Sequence, residues 1–396
     1  MDDYRKRTIV YVVAGVAIGG LFLAAGPDCR TRRTDQRAPK KVADTQPTSR
    51  PDARRGDNTA ALVFSGAADA SGAVMLDETT LLVADDENNV LRAYRIGGGS
   101  PVFTFDLSAF LGLEGDRPEV DIEAGVRVGP RVYWISSHGR NRNGKWRPNR
   151  CRFFATDIRV ESGRIEIRPA GSWCSELVKR MLDAPGVSAA CPALAASYHH
   201  GKLSGSAREP LAPKERGLNI EGLCADAAGD RLYVGLRNPL SGGKAVIVPL
   251  LNPAAIVDEA QPPRFGRPML WDLDGLGVRD MLHSPRRKAT FILAGARGDS
   301  GGFALYRWSG ASDQPPVFLR KIDSGAPPMR PEALIEIPNA SELLILSDDG
   351  VLKIPVSGPH DCINPEHYRY DGTCLNKHLR DETKKHFRGL RIPPEP

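Results

Sequence analysis

From Leu62 onward one short pattern keeps returning, and it limits the fold more than any other feature of the chain. A polar or acidic residue leads into small and apolar residues, then a turn, then a short apolar strand. The clearest copy runs Ile220-Glu221-Gly222-Leu223, Gly229-Asp230, Leu232-Tyr233-Val234-Gly235. Others are Ile122-Glu123-Ala124-Gly125 with Val132-Tyr133-Trp134-Ile135, and Pro331-Glu332-Ala333-Leu334 with Leu343-Leu344-Ile345-Leu346. Arg279-Asp280-Met281-Leu282 precedes Phe291-Ile292-Leu293-Ala294, and Ala70-Ser71-Gly72-Ala73 precedes Leu82-Val83-Ala84. Each copy continues across a turn into another strand, such as Ala245-Val246-Ile247-Val248 or Phe303-Ala304-Leu305-Tyr306. Several short strands in a period of roughly 50 residues identify a β-propeller.

The expected fold is therefore all-β, a propeller of five to six blades over residues 58–356. The interval between the copies at Glu123 and Glu221 is about twice the others, so it holds an insertion near 172–216. Ser175 to Leu182 reads as helix within it; a degenerate sixth blade is the alternative.

Equivalent positions of a propeller project equivalently around its axis. Counting back from the apolar strands places Glu123, Glu221, Asp280 and Glu332 on one ring at a mouth of the central channel. A second set follows each of those strands: Asp85-Asp86, Ser137-His138, Arg237-Asn238, Ala296-Arg297 and Asp348-Asp349. Carboxylates that share a site repel unless a cation offsets them, and hard cations such as Ca²⁺ take several carboxylate oxygens. Glu123, Glu221 and Glu332 are the expected metal ligands. His138, Arg237, Asn238 and Arg297 are the expected rim, suited to a phosphate or carboxylate. The competing reading is that the acids only accept backbone N–H bonds between blades.

Thr8 to Pro27 carries no charge and follows Arg5, Lys6 and Arg7. About 20 apolar residues span a bilayer core, so residues 1–27 read as a signal anchor or, alternatively, a cleaved signal peptide. Residues 28–57 hold nine Lys or Arg against five Asp and show no apolar pattern, as in a disordered basic linker. Positive charge after a span favours the cytoplasmic side, but the cysteines and the fold type argue for export. The expectation is a propeller anchored in the inner membrane and facing the periplasm, with a secreted periplasmic form as the alternative. The net charge of +6 resides almost wholly in the first 57 residues. The near-neutral remainder gives no reason to expect nucleic acid as a partner.

Six cysteines follow the linker, an even number without a Cys-x-x-Cys pair, which fits an oxidising compartment. Cys362 and Cys374 are the expected disulfide in a C-terminal tail, 357–396. His360, His367 and His378 crowd them at spacings that match no zinc finger. Lys377 to Arg391 reads as a short basic helix. Gly298-Asp299-Ser300-Gly301-Gly302 resembles a serine-protease nucleophile segment, but no histidine element accompanies it. Ser241-Gly242-Gly243 occupies the same hairpin one repeat earlier, so these glycines are turn residues.

The blocks VDIEAGVRVGPRVYWISSHGRN and LNIEGLCADAAGDRLYVGLRNP resemble a bacterial family known only as a domain of unknown function. The Ile-Glu-Gly-Leu element also resembles, more remotely, the phytase-like (esterase-like) propeller domain. The first resemblance implies a fold; the second implies phosphoester or ester hydrolysis. Together with the ring they point to a small-ligand or metal site, calcium or another divalent cation, with hydrolysis as one outcome. The alternative is a non-catalytic envelope scaffold that binds protein or glycan through the propeller face.

Overall fold

Strand β1 (Leu62–Ser65) opens the chain's sheet structure but pairs with the strand that comes last, and this closes the molecule into a ring. A computed structural model describes residues 61–298, 301–323 and 325–395. The expected anchor or signal peptide, the basic linker, Cys29 and the Asp299-Ser300 pair lie outside the described residues.

Five four-stranded antiparallel sheets form the blades. Blade 1 is β2 (Gly72–Met75), β3 (Thr80–Ala84), β4 (Val90–Arg95) and β5 (Phe103–Asp106). Blade 2 is β6 (Ile122–Val128), β7 (Arg131–Ser136), β8 (Phe153–Glu161) and β9 (Arg164–Cys174). Helices α1 (Leu177–Asp183), α2 (Pro185–Ala190) and α3 (Ala193–Tyr198) follow it. Blade 3 is β10 (Asn219–Ala225), β11 (Leu232–Asn238), β12 (Ala245–Leu250), then helix α4 (Pro253–Glu259) and β13 (Met269–Trp271). Blade 4 is β14 (Gly277–Ser284), β15 (Ala289–Gly295), β16 (Phe303–Trp308) and β17 (Val317–Ile322). Blade 5 starts with β18 (Pro331–Glu336) and β19 (Leu343–Ser347). A small hairpin of β20 (Lys353–Pro355) and β21 (Thr373–Leu375) intervenes before β22 (His386–Ile392). Strand β22 pairs with β19 on one side and with β1 on the other.

The middle strands are almost entirely apolar and buried because neighbouring blades cover both faces, as in β15 and β19. The inner strands β2, β6, β10, β14 and β18 pack against one another in cyclic order around the axis. Trp134 is fully buried between blades and satisfies its indole N–H on Thr156 Oγ1 at 3.0 Å.

Three expectations are corrected. The insertion is not a sixth blade: α1–α3 bury Leu177, Met181, Val187 and Leu194 in the core shared by blades 2 and 3. The segment 357–396 is not an appendage, and 377–391 is not a helix. Its His386–Ile392 portion alternates, burying Phe387 and Gly389 and turning Arg388 outward to Asp349. Charged residues at this alternation mimic a helical face in sequence, but the open edge of β19 supplies the hydrogen-bond partners that make it a strand. Finally, all six described cysteines are free thiols. Cys362 and Cys374 are buried together beside Leu379, within hydrogen-bond reach of each other, without the expected bond.

Ring closure is tightly packed. Phe64 of β1 stacks on Phe387 of β22 at 4.9 Å, and Tyr94 of blade 1 meets both edge-on. Gly98 lies at φ +94, and a Cβ there would sit 2.5 Å from the Val63 carbonyl oxygen. Only glycine permits that approach, which lets β1 touch blade 1 as well as blade 5.

Candidate functional site

Four inner strands carry a β-bulge at the same step of the ladder. Ile122 pairs with Ser136 and Ala124 with Ile135, which leaves Glu123 unpaired. In the same way Glu221 is left between Ile220 and Gly222, and Glu332 between Pro331 and Ala333. In blade 4 the extra residue is Arg279, between Val278 and Asp280. A bulge adds one residue and re-aims it, so Glu123, Glu221, Arg279 and Glu332 occupy one repeated position. All four are buried.

The expected ring member Asp280 is thus displaced by its neighbour. Val278 pairs with Ala294 as Ile220 pairs with Leu236 and Pro331 with Ser347. That register puts Thr290, not Phe291, in the place of Leu232 and Leu343. Counting from the apolar run missed by one residue because the equivalent position in this strand is the polar Thr290. Asp280 instead accepts N–H bonds from Met281 and Leu334, both at 2.7 Å, and ties blade 4 to blade 5. The backbone-capping role holds for this acid.

Arg279 is the cation the ring requires. Its Nη1 lies 3.0 Å from Glu221 Oε2, and its Nη2 bonds Glu332 Oε1. Glu221 is held on its other oxygen by Arg237 Nη1 at 2.7 Å and by Asn219 Nδ2 at 2.6 Å. Glu221 is therefore spoken for by side chains, and the expected ligand trio Glu123, Glu221 and Glu332 does not converge. Among the described residues, the acids that do converge are Asp69, Glu332 and Asp348, each offering an oxygen within 4.8 Å of the others. Asp69 precedes β2 and is 2% exposed, and its Oδ1 has no hydrogen-bond partner. Asp348 follows β19 directly. Asp86, two residues past the end of β3, has a buried Oδ1 likewise without a partner.

The electrostatics follow from this crowding. Burial, then Asp348, Asp86 and Glu332, push the Asp69 carboxyl well above the usual carboxylate range. Burial and Glu221, Asp121 and Glu332 do the same to Glu123. Glu332 is raised to about 7: burial and the carboxylates of Asp348 and Glu221 outweigh Arg279. Burial works against the Arg279 charge, but Glu221, Glu332 and Glu123 hold its pKa above the ordinary value. A second cation reaches in from the β20–β21 excursion. Lys377 bonds Glu87, and Asp86 and Asp348 add to its stabilisation against burial.

The expected rim divides. Arg237 belongs to the ring network. Asn238 donates to the carbonyls of Pro213, Glu215 and Gly217, so it holds the insertion rather than a ligand. Arg297 is exposed beyond the network. His138 adopts φ 51 and is 1% exposed. Burial first, then Arg152, lowers its pKa to about 3, so it stays neutral and does not supply positive charge for an anion. Sequence reasoning missed Asp69 and Arg279 as axial residues. Asp86 and Asp348 were visible in the second repeated set, which was not carried into the expected ligands.

Residues 190–341 match the family described as "Protein of unknown function (DUF3616)", in keeping with the resemblance read from the sequence. No curated protein matches the chain. Similar solved structures include the glutaminyl cyclase of Myxococcus xanthus, 11% identical over 72% of this chain and 88% of that one, with a TM-score of 0.37. Another is the Cps50 (Swd1) β-propeller domain of Myceliophteria thermophila, 9% identical over 70% of this chain and 93% of that one, TM-score 0.28. At such identities and scores they carry no argument about activity, and the likeness to phytase-like propellers gains nothing from them. The chain is a five-bladed β-propeller of unknown function.

Proposed function

We propose that the axial carboxylates Asp69, Glu332 and Asp348 bind a divalent cation of the calcium type, which presents a small anionic ligand at the channel mouth. The observation that carries this is Asp69: a buried carboxylate with one unpartnered oxygen, Oδ1, gathered within 4.8 Å of two further carboxylates. An unpaired buried acceptor costs roughly 1–3 kcal/mol, and a hard cation offsets that cost for all three acids at once. Arg279 neutralises the side toward Glu221, and on the Asp69–Asp348 side Arg330 lies 3.9 Å from Asp348.

A cation there polarises a ligand's phosphoryl or carbonyl oxygen, the chemistry that phosphoester or ester hydrolysis uses. Arg237, beside the same mouth, supplies positive charge to an anion. The scaffold reading lacks an equivalent observation: it gives no reason for two buried acids and a half-buried one to converge.

Thermal unfolding of the full chain with EDTA or with calcium tests the site. Calcium raises Tm by mass action, Asp69→Asn and Glu332→Gln remove most of that rise, and Glu123→Gln leaves most of it. A Tm indifferent to calcium, magnesium and manganese would sink the metal reading. The propeller is further proposed to lie outside the cytoplasm, anchored through the segment Thr8 to Pro27.

A further inference from the structure

The other end of the inner strands holds a cavity with more apolar wall. Beyond the bulges the inner strands of all five blades enclose a cavity of about 480 Å³. Ala73, Val126, Met281 and Leu334 supply apolar wall, and Gly125, whose missing Cβ leaves room for the Trp134 ring, lines it with backbone. The volume lies in the range of small-molecule sites, roughly 300–1,000 Å³.

Three carboxylates and the Arg127 guanidinium line this cavity; Arg127 is held by the carbonyls of Met75, Leu76 and Gly129, and two of the carboxylates are matched by other arginines. Asp226 pairs with Arg231 at 2.9 Å, and Glu336 pairs with Arg286 and Arg287. Among the described residues, Asp280 has no basic side chain paired with it. It is 4% exposed, and its two oxygens each accept one backbone N–H, from Met281 and Leu334. Each carboxylate oxygen has capacity for a further donor. The bulge explains why this acid is here: displacing Arg279 to the axial network turns the next residue, Asp280, away from that arginine. Held by two backbone N–H groups with no cation beside it among the described residues, the Asp280 carboxyl is pushed by burial well above the usual range, and a cation that brings its own apolar body favours its ionised form.

We propose that this cavity is a second ligand site, for a small apolar molecule carrying a cationic nitrogen, with the nitrogen on the Asp280 carboxylate and the apolar body between the inner strands. The site is independent of the proposed metal centre. It does not use Asp69, Glu332 or Asp348.

Calorimetric titration of the full chain with 1-naphthylmethylamine and 1-naphthalenemethanol tests it. The two probes share an apolar body and differ in the charged nitrogen. The amine binds more tightly, by roughly tenfold or more, the worth of a hydrogen bond to a charged group. Asp280→Asn brings the amine down to the level of the alcohol. Ala73→Leu fills the cavity and weakens both probes together, so it tests the location even where Asp280→Asn folds poorly. Binding persists in excess EDTA, which separates this result from the metal reading. Equal affinity for the two probes, no binding of either, or amine binding untouched by Ala73→Leu would each overturn the proposal.

Discussion

Glu332 shows how much one residue can couple. It sits at a bulge, shares Arg279 with Glu221, and faces Asp69 and Asp348. Its carboxyl is raised from 4.5 to about 7, so the folded state holds a proton that the unfolded state has lost. The stability this contributes is fully present below about pH 4.5 and is lost as pH rises through about 7. Asp69 and Glu123 act in the same direction. The metal-free protein should therefore lose Tm across that window. A bound cation favours the ionised acids, so the calcium-dependent rise in Tm should grow as pH increases through 7. Thermal unfolding from pH 5 to 8, with EDTA or calcium, checks both trends, and Glu332→Gln should flatten each. A calcium response that shrinks with rising pH would contradict the ligand assignment.

At the scale of elements, the inner strands were legible and the closing strand was not. Ile-Glu-Ala and Ile-Glu-Gly, followed by an apolar strand, mark β6 and β10 because acid, bulge and middle strand recur together. Thr290 hid the register of β14, and so hid Arg279. Asp69 was hidden because it lies before β2, where the copy offers only Ser71, whose hydroxyl bonds the Ile122 carbonyl of the next blade. Strand β22 was read as helix since nothing local shows that its partners are β1 and β19, over 300 and about 40 residues away. Its anchor is measurable. Phe387 is fully buried in contact with Phe64 and Tyr94. Phe387→Ala should cost about 3–5 kcal/mol, as large-to-small changes at buried aromatics do. Denaturant unfolding should show the loss as a lower midpoint at unchanged slope. A cost under about 1 kcal/mol would mean that the closure is not packed as described.

For the whole molecule, the propeller places unlike sites at the two ends of one channel, a buried network of acids and arginines at one, a cavity with apolar walls and a rim of charged residues at the other. That division arises from a bulge repeated near the start of four inner strands. Which compartment the channel opens into is a separate question with a direct test. A reporter enzyme active only outside the cytoplasm, fused after Pro396, should be active in cells. Activity from a cytoplasmic reporter alone would remove the export reading.

The pairing of β1 with β22 has a consequence for how the molecule is made. Blade 5 has its inner strands by Ser347, yet its edge stays open until residues 386–392 arrive to be sandwiched between β19 and β1. No chain interrupted before His386 can complete the ring, however sound its other four blades. An interrupted chain would expose the unpaired edges of β1 and β19, the kind of surface that sticks to other strands. The last turn of synthesis thus works as an inspection: only a chain delivered through Ile392 can hide its own ends.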